Sequence, residues 1–262
     1  MNGNERKMVA LLKELREEYG LVGIKTELEV EGARLDDLFR IKEVTMSAGV
    51  PITLKIGGCE AVSDMALAKM VGVGSVVAPM VESPFALKKF VGAAKTVFAA
   101  DELEDLRLLV NIETASAAKC YDEMLASPAF DSLHGIAIGR KDFAMSMGLG
   151  LTNLDDEAVV TPVRELIGKT KARRSDLHCV VGGIGGAASL RTLATVEGLD
   201  AFETRKVIFS AAVLTRPSAV SGLKKGLEFE ILWYETKAAY YRAVSGVDEE
   251  YLKRIKTNIE TL

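Results

Sequence analysis

Residues 108–148, LLVNIETASAAKCYDEMLASPAFDSLHGIAIGRKDFAMSMG, read as strand, loop, helix, strand, loop. Two short apolar runs, Leu108 to Ile112 and Gly135 to Ile138, are each followed closely by a carboxylate, Glu113 and Asp142. Runs of this length bounded by polar and glycine-containing segments suit strands buried on both faces, as in parallel sheets. In a barrel of parallel strands, the carboxyl ends are where reacting groups are displayed. Two acids at successive strand ends make a seat for a hard divalent cation, Mg²⁺ or Mn²⁺. Mg²⁺ takes one or two protein carboxylates and completes its shell with water and substrate oxygens. A solvated loop acid is the competing reading for either residue alone; the neighbouring strand ends favour the cation seat.

Outward from this segment the chain alternates helical and strand periodicity with no break resembling a domain linker. Upstream, residues 4–19 form a helix with Met8, Leu11, Leu12 and Leu15 on one face, ended at Gly20. Strands are expected at 21–29, 52–58 and 75–82, with helical spacing from Leu35 to Met46 and from Ser63 to Val71. Ser83 and Pro84 supply an N-cap and a first-turn proline for the next helix, and AADELEDLR is a polar connection. Downstream, a helix from Thr161-Pro162 to about Arg174 leads to a sixth strand at 178–183. A helix from Ala187 to Val196 follows, then a seventh strand at 201–206. VIFS (207–210) is a candidate eighth strand, too close to the seventh for a helix between them. This repetition in 262 residues predicts a single (β/α)₈ TIM barrel over 1–222 with an N-terminal helix, and a C-terminal helical extension over 223–262. An open doubly wound sheet is the alternative. The turn Val181-Gly182-Gly183-Ile184-Gly185-Gly186 lacks the G-x-G-x-x-G spacing and reads as a tight turn that lets a helix pack closely.

Charged residues recur near strand ends that are otherwise apolar. Lys25 and Glu27 share one side of the first strand, being two residues apart. Lys55 stands on the second, Glu82 on the third and Glu113 on the fourth. Arg140, Lys141 and Asp142 follow the fifth, and Glu203, Arg205 and Lys206 close the seventh. In a barrel these converge on one mouth. Acids for a cation among several bases suit a small anionic substrate, bound to the metal and clamped by lysine or arginine.

Composition narrows the function classes. A net charge of -4 and a pI near 5.5, without a local basic patch, argue against nucleic-acid binding. The longest apolar stretch, Val71 to Val81, is too short for a bilayer, and the N-terminus reads as a mixed-charge helix rather than a secretory leader. No membrane role and a cytoplasmic location are therefore expected. Cys59, Cys120 and Cys179 form no metal pattern and fit reduced thiols. His134 and His178 precede apolar runs, which puts them at the barrel end opposite Glu113.

The segments VVAPMVESPFALKKFV, NIETASA and GIAIGRKDFAMSMG resemble the HpcH/HpaI aldolase and citrate lyase family of metal-dependent barrels, over roughly residues 20–215. The most specific elements are Ile-Glu-Thr and Ile-Gly-x-x-Asp-x-x-x-Ser-x-Gly. The resemblance implies that Glu113 and Asp142 hold Mg²⁺ or Mn²⁺, and that the turn Gly139-Arg140-Lys141 offers backbone amides to the carboxylate of a 2-oxo acid, related carboxylate or thioester. It also implies carbon–carbon lyase or aldolase chemistry through an enolate; the aromatic stripe over Leu227 to Val244 reads first as packing on the barrel, and second, as the resemblance suggests, as a homo-oligomer built with the C-terminal helices on a neighbouring subunit. Two positions depart from the family pattern. Lys55 replaces the arginine usual on the second strand, giving charge without a bidentate fork. Lys25-Thr26-Glu27-Leu28 contains no histidine, so Glu27 or a water on the cation is the candidate base. Lys25, Arg140, Lys141, Glu203, Arg205 and Lys206 are the expected substrate-binding residues, with Lys55 as enolate stabiliser. Two further readings stand beside this one: a Schiff-base aldolase using Lys55, Lys25 or Lys206, and a ligand-binding barrel without catalysis.

Overall fold

The computed structural model describes residues 1–150 and 154–260, with side chains to residue 258. Residues 151–153 and 261–262, the latter being the end of the expected 223–262 extension, lie outside it. Eight strands close one barrel in sequence order. They are β1 (Leu21–Glu27), β2 (Ile52–Lys55), β3 (Ser75–Ala78), β4 (Arg107–Asn111), β5 (Gly135–Gly139), β6 (His178–Gly182), β7 (Ala201–Glu203) and β8 (Val207–Ser210). Helix α1 (Gly3–Glu18) precedes β1. Between successive strands lie α2 (Leu35–Ala48), α3 (Val62–Val71), α4 (Pro84–Val97) with α5 (Ala100–Asp105), α6 (Ala115–Lys119) with α7 (Tyr121–Ala126), α8 (Arg140–Ser146) with α9 (Glu157–Arg173), and α10 (Ala187–Leu193). The chain ends in α11 (Ala219–Glu260). Among the described residues no helix is long and apolar enough to cross a membrane.

Strand periodicity divides the barrel wall. Ile24, Leu54, Val76, Leu108, Ile136, Val181 and Phe209 face the helices and join the main core. Val77, Leu109, Ala137, Val180, Ala201 and Ile208 form a separate inward cluster. Each outward aliphatic side chain contributes about 1.5–3 kcal/mol on burial, and a one-residue slip would turn all of them inward, so register is firmly specified. The same alternation aims Lys25, Glu27, Lys55, Asn111 and Glu203 into the barrel.

The barrel departs from eight parallel strands at its closure. β1 through β7 pair in parallel, but β8 is antiparallel to both β7 and β1. Only Thr204 to Lys206 separate β7 from β8, too few for a crossover helix. The Thr204 N–H donates to the Val207 carbonyl, and the Val207 N–H donates to Thr204 Oγ1, each at 3.0 Å. β8 therefore starts at the mouth where β7 ends. The flank of the closure is covered by α11, which packs along α1 and buries Phe229 and Trp233. Gly226 permits this approach, since a Cβ there would lie 3.0 Å from Phe209 Cζ.

Three helical details differ from the sequence expectation. The polar connection at 99–107 contains α5, whose first turn is closed by Glu102 accepting from the Ala99 N–H at 2.7 Å. The helix expected from Thr161 begins at Glu157, with Pro162 inside it. The tail, whose pattern changes from an aromatic stretch over Leu227 to Val244 to a charged helix from Asp248, is one helix through Gly246, because a glycine costs a long helix only about 1 kcal/mol.

Candidate active site at the carboxyl ends of the strands

The expected site residues converge. Lys25, Glu27, Lys55, Glu113, Gly139, Arg140, Lys141, Asp142, Glu203 and Arg205 all line one cavity of about 220 Å³ at the carboxyl ends of the strands. Lys206 does not line it. Its side chain is fully enclosed, with Nζ 2.6 Å from Glu31 Oε2 and 5.3 Å from the centroid of the Trp233 ring, so it anchors α11 instead. Burial holds the Lys206 ammonium below its ordinary pKa against the pull of Glu31. Glu82 is also outside the cavity, accepting from Thr114 Oγ1 at 2.6 Å.

Glu113 is the centre of the arrangement and is 1% exposed. Its Oε2 accepts from Asn111 Nδ2 at 2.7 Å, its Oε1 accepts from the Met80 N–H at 3.2 Å, and Lys55 Nζ stands 3.5 Å from Oε1. Burial raises the Glu113 carboxyl above its ordinary pKa, with Asp142 adding to the rise, while Lys55, Asn111 and the Met80 amide pull it down without cancelling the rise. Met80 turns its amide inward at a cost, being the one non-glycine residue with positive φ (49°) among those described. Such a backbone costs about 1–3 kcal/mol and persists where surrounding structure holds it. Gly139 completes the cradle: a Cβ there would lie 2.5 Å from Glu113 Oε2.

Lys55 is shared between two acids, with Nζ also 2.8 Å from Glu29 Oε2. Burial alone would lower its pKa, but Glu113, Glu29 and Glu27 outweigh burial and hold it above the ordinary lysine value. Lys25 lies between Glu203, which it contacts closely, and Glu27 at 3.3 Å, and these acids likewise overcome burial and raise its pKa. Arg205, with 41% of its side chain exposed, reaches Glu27 at 3.6 Å and Glu31 at 3.3 Å. The Arg140 guanidinium is consumed: it donates to the carbonyls of Gly182, Gly183 and Leu154 and pairs with Asp155 at 2.6 Å. Arg140 therefore pins the turn after β6, and only its backbone faces the cavity. Lys141, by contrast, is exposed.

Asn111, Met80, Glu29 and Glu31 were not singled out in the sequence. Asn111 carried a readable signal, an amide two residues before Glu113 on the same side of an apolar strand. Met80 carried none, since its role is played by its backbone.

The residues present fit a hard cation. Glu113 and Asp142 offer oxygen donors on one cavity, and the missing side chain at Gly139 leaves room beside Glu113 Oε2. Among the described residues no group of three or more His, Cys, Asp or Glu is placed to hold a metal ion.

The HpcH/HpaI aldolase/citrate lyase family profile matches residues 60–195. An HpcH/HpaI aldolase/citrate lyase family protein from Burkholderia cenocepacia J2315 superposes with a TM-score of 0.59 at 16% identity, covering 86% of this chain and 90% of that one. The citrate synthase SbnG superposes with a TM-score of 0.59 at 13% identity, covering 85% and 90% respectively. At these identities the likeness concerns the fold. No curated protein sequence matches the chain. The matched segment contains Glu113 and Asp142 but stops short of β1, β2 and the β7–β8 hairpin, where Glu27, Lys55 and Arg205 lie. It spans just over half of the chain, which thus belongs to the HpcH/HpaI aldolase/citrate lyase family.

Proposed function

We propose that the protein is a divalent-metal-dependent carbon–carbon lyase or aldolase acting on a small 2-oxo acid or a related carboxylate or thioester. The observation that supports it most is the meeting of Glu113, Asp142 and Lys55 in one cavity. Glu113 and Asp142 would hold Mg²⁺ or Mn²⁺, which when bound supplies Lewis acidity toward the substrate carbonyl. Arg205 and Lys141, the more exposed cations, receive the substrate's anionic end together with the backbone at Gly139 to Lys141. Glu27 takes the proton from the hydroxyl on the carbon that becomes the departing carbonyl, across the breaking bond from the 2-oxo group. As that carbon–carbon bond breaks, its electron pair passes to the 2-oxo oxygen as an enolate, whose charge Lys55 stabilises. Protonation of the enolate carbon then gives the second product.

A Schiff-base mechanism is less well supported. Lys25 and Lys55 are held protonated by neighbouring acids, and Lys206, whose pKa burial does lower, is sealed off from the cavity. A second copy of the chain is proposed as partner. Beyond Tyr241, α11 leaves Val244, Val247, Tyr251 and Ile255 at least 49% exposed on one helical face, and family resemblance favours cover by a neighbouring subunit.

Release of pyruvate or oxaloacetate from a panel of 2-oxo acids and acyl thioesters tests the reading, with Mg²⁺, Mn²⁺ or EDTA. Turnover that needs metal and is lost in Glu113→Ala and Asp142→Ala is expected. Turnover surviving EDTA and trapped by borohydride would replace it with the lysine mechanism. Metal binding that depends on both acids, without turnover of any substrate, would favour the non-catalytic barrel.

A further inference from the structure

A cavity larger than the mouth, about 500 Å³, occupies the lower bore of the barrel and opens at the amino ends of the strands. Barrels of this kind are normally filled by layers of bulky branched side chains. Here β5 presents only Gly135, Ala137 and Gly139 inward, β1 presents Gly23 and β7 presents Ala201, so the layers do not meet across the axis. The resulting wall is mostly apolar, with Val77, Leu109, Ala137, Val180 and Ile208 beside Thr53 and Glu203. Its volume lies within the range of small-molecule sites, which are mostly apolar with a few polar groups that orient the ligand.

Those polar groups stand at the lower rim. Arg107 is exposed, lines the cavity, and its guanidinium makes no ion pair or hydrogen bond among the described residues. His134 Nδ1 accepts the Leu108 N–H at 3.1 Å, so a neutral imidazole carries its proton on Nε2 and keeps a donor free. His178 lies on the same rim. Burial holds both histidines below their ordinary pKa, helped by Arg107 and Arg174 at His134 and by Arg107 and Lys171 at His178, where Asp200 pulls the other way. Of the two acids there, Asp200 is already engaged by Lys171 Nζ at 2.7 Å and the Cys179 N–H at 2.8 Å. Asp105 is exposed at the outer edge, and its carboxylate makes no hydrogen bond or ion pair among the described residues.

We propose that the lower bore is a second small-molecule site, for an aliphatic carboxylate whose chain lies against Leu109, Ala137 and Val180 and whose carboxylate meets Arg107 and the His134 N–H. A simple fatty acid and an aliphatic α-amino acid share this chemistry. Asp105 distinguishes them, because it can accept an α-ammonium group. Glu203 lines both this bore and the mouth cavity, where it contacts Lys25.

Titration calorimetry on the full chain, with hexanoate, norleucine and hexan-1-ol as probes, tests the proposal. Hexanoate or norleucine binds saturably, and Arg107→Gln weakens that binding about tenfold or more while leaving hexan-1-ol unchanged. Ala137→Leu fills the bore and removes binding of all three; should that variant fail to fold, the exposed Arg107→Gln carries the test. Norleucine favoured over hexanoate, with the preference lost in Asp105→Asn, would identify the amino-acid source. Crystals soaked in 6-bromohexanoate show bromine among Leu109, Ala137 and Val180. No saturable binding at millimolar concentrations, equal affinity in Arg107→Gln, or bromine only at the upper mouth would overturn it.

Discussion

At the scale of single residues, Lys55 decides how the buried charge of Glu113 is handled. A buried carboxylate needs a cation or several donors, and here one ammonium serves both Glu113 and Glu29. Lys55→Met should lower kcat/KM by about 10²- to 10³-fold, the usual cost of removing one stabiliser of developing charge. Lys55→Arg keeps the charge but replaces a point charge with a planar fork, so it should recover part of that loss while shifting KM. Steady-state kinetics on the substrate identified by the panel separate the two, and equal rates in Lys55→Met and wild type would remove Lys55 from the mechanism. Much of this site was legible in the sequence. Glu113, Asp142, Lys55 and Glu27 are side chains at strand ends, and a period of two tells which share a side. Arg140 and Lys206 were legible as charges but not in their roles. Whether a cation faces substrate or is consumed by carbonyls and a neighbouring acid depends on packing from distant segments, such as Gly182 to Asp155 for Arg140.

At the scale of elements, the loop after β1, the β7–β8 turn and α11 are tied by one buried cluster. Glu31 pairs with Lys206, and Tyr234 Oη donates to Glu31 Oε1 at 2.7 Å. Burial alone would raise the Glu31 carboxyl, but Lys206, Tyr234 and Arg205 outweigh it and hold its pKa below the ordinary value. A depressed carboxylate contributes stability that is fully present above the unfolded pKa and is lost as pH falls through the lower folded value. Glu31→Gln should therefore destabilise the fold by about 3 kcal/mol at neutral pH, since Lys206 stays buried without its partner. The gap in Tm between wild type and variant should close as pH is lowered below about 4. A gap that stays constant down to pH 3 would mean that Glu31 is not held as a carboxylate by this cluster.

At the scale of the whole molecule, α11 carries an exposed apolar face beyond Tyr241. If a neighbouring copy covers it, light scattering should show an assembly for the full chain and a monomer for a version ending at Gly246, with Tm of the monomer's barrel little changed. Identical masses would place the self-association surface elsewhere. The sequence by itself determined the barrel, the strand ends that bear charge and the side of each strand that faces inward, because all three follow from local periodicity and from turn residues within a few positions. Only the tertiary structure decided that β8 runs antiparallel, that Lys206 anchors α11, that the Met80 amide serves Glu113 and that the lower bore stays hollow. Each of these depends on which side chains meet across the barrel axis or between segments far apart in the chain, and such meetings leave no periodic trace in either partner alone.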